Sequence, residues 1–293
     1  MGERFRTLGG GADAREVLDE LRLRHLLESL VPREGAALCT RASPPVIHTR
    51  FCFSAQDPHS AETKRSKFVN DRIFAKWIID TFGSDALVAG GVADVAGGKG
   101  LLSFELHVEH GIPCTLVEPR QCKMTAYGYS RHRHLRRVGA RCPRGSVEYQ
   151  AWRRAEQWIS ISKQEAAAEA SAEPRIFSGL EEGASRAQLL ADGADDCIAA
   201  FEHYRTEFWG CEGRAGVVMA KRSVLIGMHP DQATEPIVDA ALDLNKPFAI
   251  VPCCVFPSLF PERRLQDGSP VSTFPEFIQY LEEKDKSIQF VLE

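Results

Sequence analysis

A glycine-rich loop near residue 94 is the feature of this sequence with the clearest chemical potential. The apolar segment Ala86–Val95 is predicted to form a buried strand that runs into the loop 94–100 (DVAGGKG), and a helix is predicted over 100–109. Glycines allow positive φ angles and a close approach of the backbone to a ligand, and the N-terminus of the helix presents free N–H groups. The loop is therefore predicted to bind a carboxylate or a pyrophosphate group.

Two common nucleotide-binding motifs fit this loop poorly. A P-loop has the pattern G-x-x-x-x-G-K-[ST], but Ala93 stands at the first glycine position and Gly100 follows Lys99. A dinucleotide-binding loop has the pattern G-x-G-x-x-G, and the segment 98–103 (GKGLLS) ends in serine instead. An NAD-dependent oxidoreductase is therefore kept only as the weaker alternative.

Glu118 ends the next predicted strand, Pro113–Glu118, 24 positions after Asp94. A carboxylate at this place accepts hydrogen bonds from two ribose hydroxyls and repels a 2′-phosphate. The loop and Glu118 together indicate a ligand that contains a ribose. The alternative interpretation is that the glycines serve only a tight turn and that Asp94 caps the helix.

With these residues the sequence resembles the Rossmann-like S-adenosylmethionine-dependent methyltransferases. Their first motif reads roughly D-x-G-x-G-x-G, which the loop 94–100 matches except for an alanine at the first glycine position. The resemblance implies S-adenosylmethionine as the cofactor, with the ribose held by Glu118 at the end of the second strand of the sheet. The implied cofactor-binding residues of the loop are Asp94, Ala96, Gly97, Gly98 and Gly100.

Two further loops follow predicted strands. The segment 227–235 (GMHPDQATE) follows the predicted strand Ser223–Met228, and 251–257 (VPCCVFP) overlaps the end of Pro247–Cys253. In a doubly wound sheet these strands are the fourth and fifth and lie beside the first, so their loops face the same cleft as the glycine loop.

His229 and Asp231 are the candidate catalytic residues in the first of these loops. His229 is a candidate general base because a free imidazole titrates near neutrality. Asp231 is a candidate for holding the cofactor or the acceptor. Alternatively, both side chains cap the following helix and satisfy its amides.

The pair Cys253-Cys254 resembles a Cys-Cys pair in one subgroup of these methyltransferases, which includes eukaryotic transfer-RNA 2′-O-methyltransferases. That subgroup also carries H-x-C-G-x-x-(T/S) after the fourth strand. Here His229, Asp231, Ala233 and Thr234 stand at that loop, and Pro230-Asp231-Gln232 replaces its cysteine-glycine part. The cysteines are interpreted as buried packing residues, as nucleophiles or as metal ligands. No metal site is predicted there, because a second nearby pair of ligands is missing from the sequence.

A basic stretch over 131–154 is the candidate RNA-binding region, and RNA is the candidate methyl acceptor. It starts with the run 131–137 (RHRHLRR) and is interleaved with Trp152. Such runs contact phosphates, although a solvated helix face is the more common explanation and the net charge of the whole chain is -4. The stretch belongs to a segment, 131–172, that is predicted to be an insertion.

Composition and cysteine usage limit the remaining possibilities. The 293 residues include 44% hydrophobic residues, which suits a globular chain with a sizeable core. Nine irregularly spaced cysteines and the absence of a secretory signal favour a reducing, intracellular compartment, in the cytoplasm or the nucleus. No segment is apolar enough to span a membrane. A zinc site is a weaker hypothesis for four residues whose spacing fits no common motif: Cys39, His48, Cys52 and His59.

The alternation of strands and helices predicts an α/β fold with a mostly parallel, Rossmann-like methyltransferase sheet. We expect a helical N-terminal extension over 1–83 and a methyltransferase domain over 84–293. The resemblance implies an antiparallel hairpin at the end of the sheet, although only one late strand, Ser287–Leu292, is predicted. The expected activity is methyl transfer to an oxygen or nitrogen acceptor, and the alternative is a binding protein that has kept the fold without the chemistry.

Further elements are predicted from apolar periodicity: helices over 12–30, 65–82, 186–208, Thr234–Leu244 and Phe274–Glu283, a helix that begins near Gln121, and a strand over 173–179.

Overall fold

The computed structural model of this chain describes residues 46–48, 61–122, 125–167, 175–178 and 201–291. Within them lies one eight-stranded sheet flanked by helices. The strands are β1 (Val46–His48), β2 (Val92–Val95), β3 (Cys114–Val117), β4 (Arg175–Ser178), β5 (Phe201–Arg205), β6 (Val224–Met228), β7 (Phe248–Val251) and β8 (Gln289–Val291). The helices are α1 (Ala61–Phe82), α2 (Ser84–Gly90), α3 (Leu101–Phe104), α4 (Ala126–Gly139), α5 (Val147–Ala167), α6 (Gly213–Ala220), α7 (Thr234–Asp243) and α8 (Phe274–Glu282).

The strand order is β4-β5-β3-β2-β6-β7-β1-β8. Five neighbouring strands, from β5 to β7, are parallel, and the only antiparallel pairing in the described sheet joins β4 to β5. The chain moves outward from β2 in both directions, so β2 is the switch point where ligands bind in parallel α/β sheets. The prediction of an α/β fold with a mostly parallel sheet is confirmed, and the strand order is consistent with a Rossmann-like sheet in which β6 and then β7 lie on one side of β2.

Two apolar layers cover the faces of the sheet. Alternate residues of β2 enter different layers, with Val92 in one and Ala93 in the other, as the period of a strand requires. The first layer contains α1, α3 and α5, and the second contains α7 and α8. At the centre of the first layer, Trp158 of α5 stacks on Phe201 of β5 with ring centroids 4.2 Å apart.

Three predicted elements differ from the structure. The predicted strand Ala86–Val95 is a helix, α2, in its first half and becomes β2 only at Val92. The described end of the predicted helix 186–208 is strand β5, in which Phe201 packs in the first apolar layer and Tyr204 in the second, on the opposite face. The helix expected near Gln121 begins at Ala126, after the N-cap Thr125, whose hydroxyl accepts a hydrogen bond from Gly128 N–H.

The segment 131–172 was predicted as an insertion, and its described part is closely packed. Helices α4 and α5 lie against each other, and α5 buries Ala151, Ala155 and Ile161 in the core. These helices connect β3 to the following strands, so they take the place that a crossover connection has in a parallel sheet.

The far edge of the sheet also differs from the resemblance. Beyond β7 lie β1 and then β8, and both pairings are parallel. The described residues therefore form no antiparallel hairpin at this edge, and a segment from before α1 supplies a strand instead. The predicted helix 12–30 and the residues Cys39, Cys52 and His59 lie outside the described residues.

Among the described helices, none combines the length and the apolar composition that crossing a lipid bilayer requires.

Candidate functional site

Strained backbone marks the carboxyl edge of the sheet. Five described residues other than glycine have a positive φ, and four of them follow β2, β6 or β7: Ala96 (55°), His229 (53°), Asp231 (50°) and Phe256 (52°). Each such conformation costs on the order of 1–3 kcal/mol, and it persists only where surrounding contacts hold it. Strain of this kind concentrates at functional sites, so this edge is the candidate site.

The side of the glycine loop that faces the protein interior is tightly packed. A side chain at Gly97 would lie 2.5 Å from an Asp94 carboxylate oxygen, and one at Gly100 would lie 2.8 Å from the Trp158 ring. Gly98 and Gly100 also have positive φ, at 61° and 75°. The requirement for glycine at 97 and 100 is therefore explained by packing within the protein, whereas Gly98 lies on the open side of the loop.

Asp94 lies entirely beneath this loop. Its side chain is inaccessible to solvent, and one carboxylate oxygen accepts a hydrogen bond from Ser103 Oγ (2.6 Å). The other oxygen, Oδ1, has no hydrogen-bond partner within the described structure. Burial raises the pKa of Asp94 to about 6. Burying a carboxylate whose second oxygen has no hydrogen-bond partner costs folding free energy. This residue is therefore a candidate for stabilising positive charge on a bound ligand.

Glu118 follows β3 and joins the glycine loop to the next turn. Its buried carboxylate accepts a hydrogen bond from Gly98 N–H (2.9 Å) and another from the backbone N–H of Arg120 (3.0 Å). The guanidinium of Arg120 completes the contact from the solvent side, with Nε 2.6 Å from Oε1 and Nη2 3.1 Å from Oε2. The Arg120 side chain is 74% exposed and that of Glu118 is 2% exposed. Arg120 therefore covers a carboxylate that is otherwise sealed within the protein.

A buried histidine and a buried glutamate hold the backbone of Glu118 in place. His203 Nε2 lies 2.9 Å from the carbonyl oxygen of Glu118, and because that oxygen can only accept, Nε2 must carry the proton. The other ring nitrogen, Nδ1, makes a very short contact with Glu165 Oε1. Glu165 Oε2 accepts a hydrogen bond from Cys122 N–H (2.7 Å). Both side chains of the pair are fully buried, so they fix the backbone that presents Glu118.

The loop after β6 carries the two predicted catalytic residues. The backbone N–H of His229 donates to the carbonyl oxygen of Val251, which ties this loop to the end of β7 (3.0 Å). Helix α7 begins after Ala233 and receives no side-chain cap. The alternative that His229 and Asp231 cap this helix is therefore wrong.

Asp231 lies against the cysteine pair after β7. The thiol of Cys253 donates to Asp231 Oδ1 (3.2 Å), and Cys254 completes a group whose ligand atoms all lie within 4.8 Å of one another. Burial, and then the negative charge of Asp231, raises the pKa of the Cys253 thiol. The pKa of Arg120 is raised chiefly by its hydrogen bonds to Glu118 and also by the charge of Asp231. The loops after β3, β6 and β7 therefore interact at one edge.

The basic stretch divides into anchoring and exposed residues. Arg131 forms two hydrogen bonds of 2.6 Å with the carboxylate of Glu109, and buried Arg154 donates to the carbonyl oxygen of Val108. These two arginines hold α4 and α5 to the π-helical segment Glu105–Glu109, which continues α3. The arginines that are exposed are Arg133, Arg136, Arg137, Arg141, Arg144 and Arg153.

Sequence reasoning identified the loop, Glu118, Asp231 and the cysteines, and the structure brings all of them to one edge of the sheet. It did not identify Ser103, Arg120, Glu165 or His203. Arg120 had a signal, since it lies two positions after Glu118. Glu165 and His203 had none, because 38 residues separate the partners of that pair.

Comparison of the chain with protein-family models, with curated proteins and with solved structures finds no match in any of the three. The interpretation of this site therefore depends on its own geometry.

Proposed function

We propose that this protein transfers a methyl group from S-adenosylmethionine to an RNA acceptor. The observation that supports the proposal most strongly is the hydrogen bond between Gly98 N–H and the buried carboxylate of Glu118 (2.9 Å). It joins a glycine loop after β2 to an acidic residue after β3, at the switch point of a parallel sheet. A ribose over Gly98 would donate its two hydroxyls to this carboxylate in place of the Arg120 guanidinium, which covers Glu118 in this structure and has to move aside.

The residues around the loop fit the charge of this cofactor. The sulfonium and the ammonium groups of S-adenosylmethionine are cationic, and Asp94 places a buried carboxylate directly under Gly97. The partnerless Oδ1 of Asp94 leaves this negative charge less neutralised than that of Glu118. In this proposal Glu118 holds the ribose, the backbone of 96–100 holds the methionine part, and Asp94 stabilises the positive charge from below.

The bound cofactor would supply an already activated methyl group, so the protein has mainly to position the acceptor. His229 and Asp231 are the residues we assign to this role. They follow β6, which is the neighbour of β2 in the sheet, and their strained backbone is held by contacts with the end of β7. A strained loop with an imidazole and a carboxylate is suited to orienting a hydroxyl or an amine and to accepting its proton.

Glu118→Gln is expected to weaken the binding of S-adenosylmethionine by about 10- to 100-fold, since a hydrogen bond to a charged acceptor contributes about 1.5–3 kcal/mol. The matched control is Glu202→Gln on β5. Glu202 is also paired with an arginine, Arg222, at 2.8 Å, but it lies near the start of its strand, away from the candidate site. Isothermal titration calorimetry with S-adenosylmethionine measures both variants.

Equal affinities for the wild type, Glu118→Gln and Glu202→Gln would contradict the assignment of Glu118. Absence of binding to the folded wild type at millimolar cofactor would contradict the proposed function itself. NADH and NADPH are titrated in parallel, and tight binding of either would favour an oxidoreductase instead. Cofactor binding without methylation of any RNA would favour a binding protein that has kept the fold.

The acceptor is assigned from the exposed arginines, which lie on α4, on the loop after it and on the first turns of α5. Helix α4 begins at Ala126, eight positions after Glu118, and its exposed arginines lie in its second half, beyond Arg131, which bonds Glu109. Phosphates of a nucleic acid are the groups that such a surface neutralises, because arginine forms bidentate hydrogen bonds with them.

Replacement of Arg133, Arg136 and Arg137 by alanine is expected to weaken RNA binding at least 10-fold. It should also reduce the slope of log K against log salt by about 2 to 3, which is the number of phosphate contacts removed. Three other exposed basic residues, Lys221, Arg264 and Lys286, give a control triple variant with the same change in net charge. Fluorescence anisotropy with labelled total transfer RNA at several salt concentrations tests both. Equal losses in the two triple variants would show that only net charge matters.

A further inference from the structure

Asp231, Cys253 and Cys254 form a compact cluster of metal-ligating groups. One carboxylate oxygen and two sulfur atoms lie within 4.8 Å of one another, and the Cys253 Sγ to Asp231 Oδ1 distance is 3.2 Å. No other group of three or more such residues is found in the part of the chain that the structure describes. We propose that this cluster is a zinc site.

The distances are close to those that a zinc ion imposes. Zinc–sulfur bonds of about 2.3 Å and zinc–oxygen bonds of about 2.0 Å in a tetrahedron separate a sulfur and an oxygen ligand by about 3.5 Å, and two sulfur ligands by about 3.8 Å. The Cys253–Asp231 pair therefore needs to open by only a few tenths of an ångström. Movement of one side chain by about 1 Å brings the widest pair in the cluster to this geometry.

The types of ligand atom in the cluster indicate which metal ion it would bind. Two cysteine sulfurs and one carboxylate suit a borderline-soft ion such as Zn²⁺, whereas Mg²⁺ and Ca²⁺ prefer oxygen ligands only. Binding replaces the proton of each thiol by the metal, and both protons leave to solvent. The resulting site of two thiolates, one carboxylate and Zn²⁺ has a net charge of about -1, as the formal charges give. The guanidinium of Arg120, whose pKa is raised partly by the charge of Asp231, offsets part of that charge.

Three protein ligands leave one position of the tetrahedron open. Closed zinc sites that serve only a structural role have four protein ligands, whereas sites with three ligands bind water or a substrate at the fourth position. His229 does not belong to the cluster, although it lies two residues before Asp231. The open position is available to an oxygen, nitrogen or sulfur atom of an acceptor, and the metal would then lower the pKa of that atom.

Cobalt substitution tests the site without any need for enzymatic activity or for S-adenosylmethionine. Co²⁺ bound by thiolates gives intense sulfur-to-metal charge-transfer absorption, so titration of the full chain with Co²⁺ reports both stoichiometry and ligand type. Competition with Zn²⁺ then gives the zinc affinity, and elemental analysis gives the zinc content of the purified protein. All titrations are made in a Cys39→Ser/Cys52→Ser background, which removes the cysteines of the alternative zinc hypothesis for Cys39, His48, Cys52 and His59.

We expect one Co²⁺ per chain, with thiolate charge-transfer bands that Zn²⁺ abolishes. Cys253→Ser, Cys254→Ser and Asp231→Asn should each weaken the metal affinity by about 100-fold or more, since even outer groups of a metal site contribute about 10- to 100-fold. Cys142→Ser and Cys211→Ser, which change partly buried cysteines elsewhere, should leave it unchanged. Far-UV circular dichroism confirms folding of each variant.

Absence of thiolate bands in the folded protein would overturn the proposal, and so would bands that persist in both Cys253→Ser and Cys254→Ser. Loss of the bands in Cys142→Ser or Cys211→Ser alone would place the metal elsewhere and would overturn it as well. Because the metal is measured without cofactor, failure of the zinc site is distinguishable from failure of the methyltransferase proposal.

Discussion

Glu165→Ala is expected to lower the free energy of unfolding by about 3 kcal/mol or more, because each buried polar group left without its hydrogen-bond partner costs about 1–3 kcal/mol. Glu165 and His203 are both fully buried, and the variant leaves the His203 ring without its carboxylate partner. It also leaves Cys122 N–H without its acceptor. Since His203 Nε2 bonds the carbonyl oxygen of Glu118, loosening of this pair should weaken cofactor binding too.

Helix α5 contains a matched control for this prediction. Glu156 is also paired with a histidine, His132, at 2.9 Å, but the side chains of that pair are 35% and 11% exposed. Glu156→Ala is therefore expected to cost about 1 kcal/mol or less. Urea unfolding followed by circular dichroism measures both variants, and similar losses in the two would refute the assigned importance of burial.

A double-mutant cycle measures the interaction energy between Glu165 and His203 apart from the other contacts of each side chain. When Glu165 is already alanine, the additional change His203→Ala should cost much less than it does alone, because the interaction it breaks is no longer present. A coupling energy of about 1–3 kcal/mol is expected for side chains in direct contact. Strict additivity of the two changes would show that the contact itself contributes little.

Asp94→Asn is expected to change stability and cofactor binding in opposite directions. Burial raises the pKa of Asp94 from 3.8 to about 6, so the folded state binds this proton more tightly than the unfolded chain does. The free energy of unfolding therefore falls as the pH rises through this interval, and it stays reduced above about pH 6. The full loss is about 3 kcal/mol, since one pKa unit corresponds to about 1.4 kcal/mol.

Asparagine at 94 does not titrate, so the variant does not show this fall in the free energy of unfolding as the pH rises. The stability of Asp94→Asn relative to wild type should rise by up to about 3 kcal/mol between about pH 4 and pH 8. Its affinity for S-adenosylmethionine should fall, because the negative charge under Gly97 is gone. Denaturant unfolding at several pH values, with calorimetry at pH 8, measures the two effects.

Asp80→Asn is the control, because Asp80 is an exposed carboxylate on α1 that pairs with Lys76. Its relative stability should vary by no more than about 0.5 kcal/mol over the same pH range. A constant stability difference between Asp94→Asn and wild type from pH 4 to pH 8 would contradict the shifted pKa. Unchanged cofactor affinity would remove Asp94 from the proposed site.

The outline of the fold could be predicted from the sequence because the central strands are short apolar runs that end in glycine or polar loops. The errors arose where this pattern is ambiguous. The run 86–89 (ALVA) is as apolar as a buried strand, yet it forms helix α2, and a run this short has no period that distinguishes the two. Phe201 and Tyr204 have a spacing of three, which is typical of a helix, although tertiary pairing with β3 makes this segment a strand.

The candidate site was predictable in its parts but not in its contacts. Asp94 lies near the end of β2, and Glu118, His229 and Asp231 follow strands, so a parallel sheet brings these residues to one edge. Asp231 has a positive φ and contacts Cys253 of the neighbouring loop, and nothing in the sequence indicates either feature. The sequence alone argued against metal binding because it showed no second pair of ligands, whereas folding brings the third ligand from the neighbouring loop.

The position of β1 in the sheet has a consequence for the order of events during synthesis. Val46 lies beside Ala249 of β7 on one side and Gln289 of β8 on the other. At about 5–20 residues per second, a ribosome needs roughly 10–40 s to make the chain between β1 and its first partner. Contacts between such distant segments also form slowly, because closing a long loop costs entropy before any pairing energy is gained. The sheet edge beside Cys253 and Cys254 is therefore completed only after Gln289–Val291 has been translated.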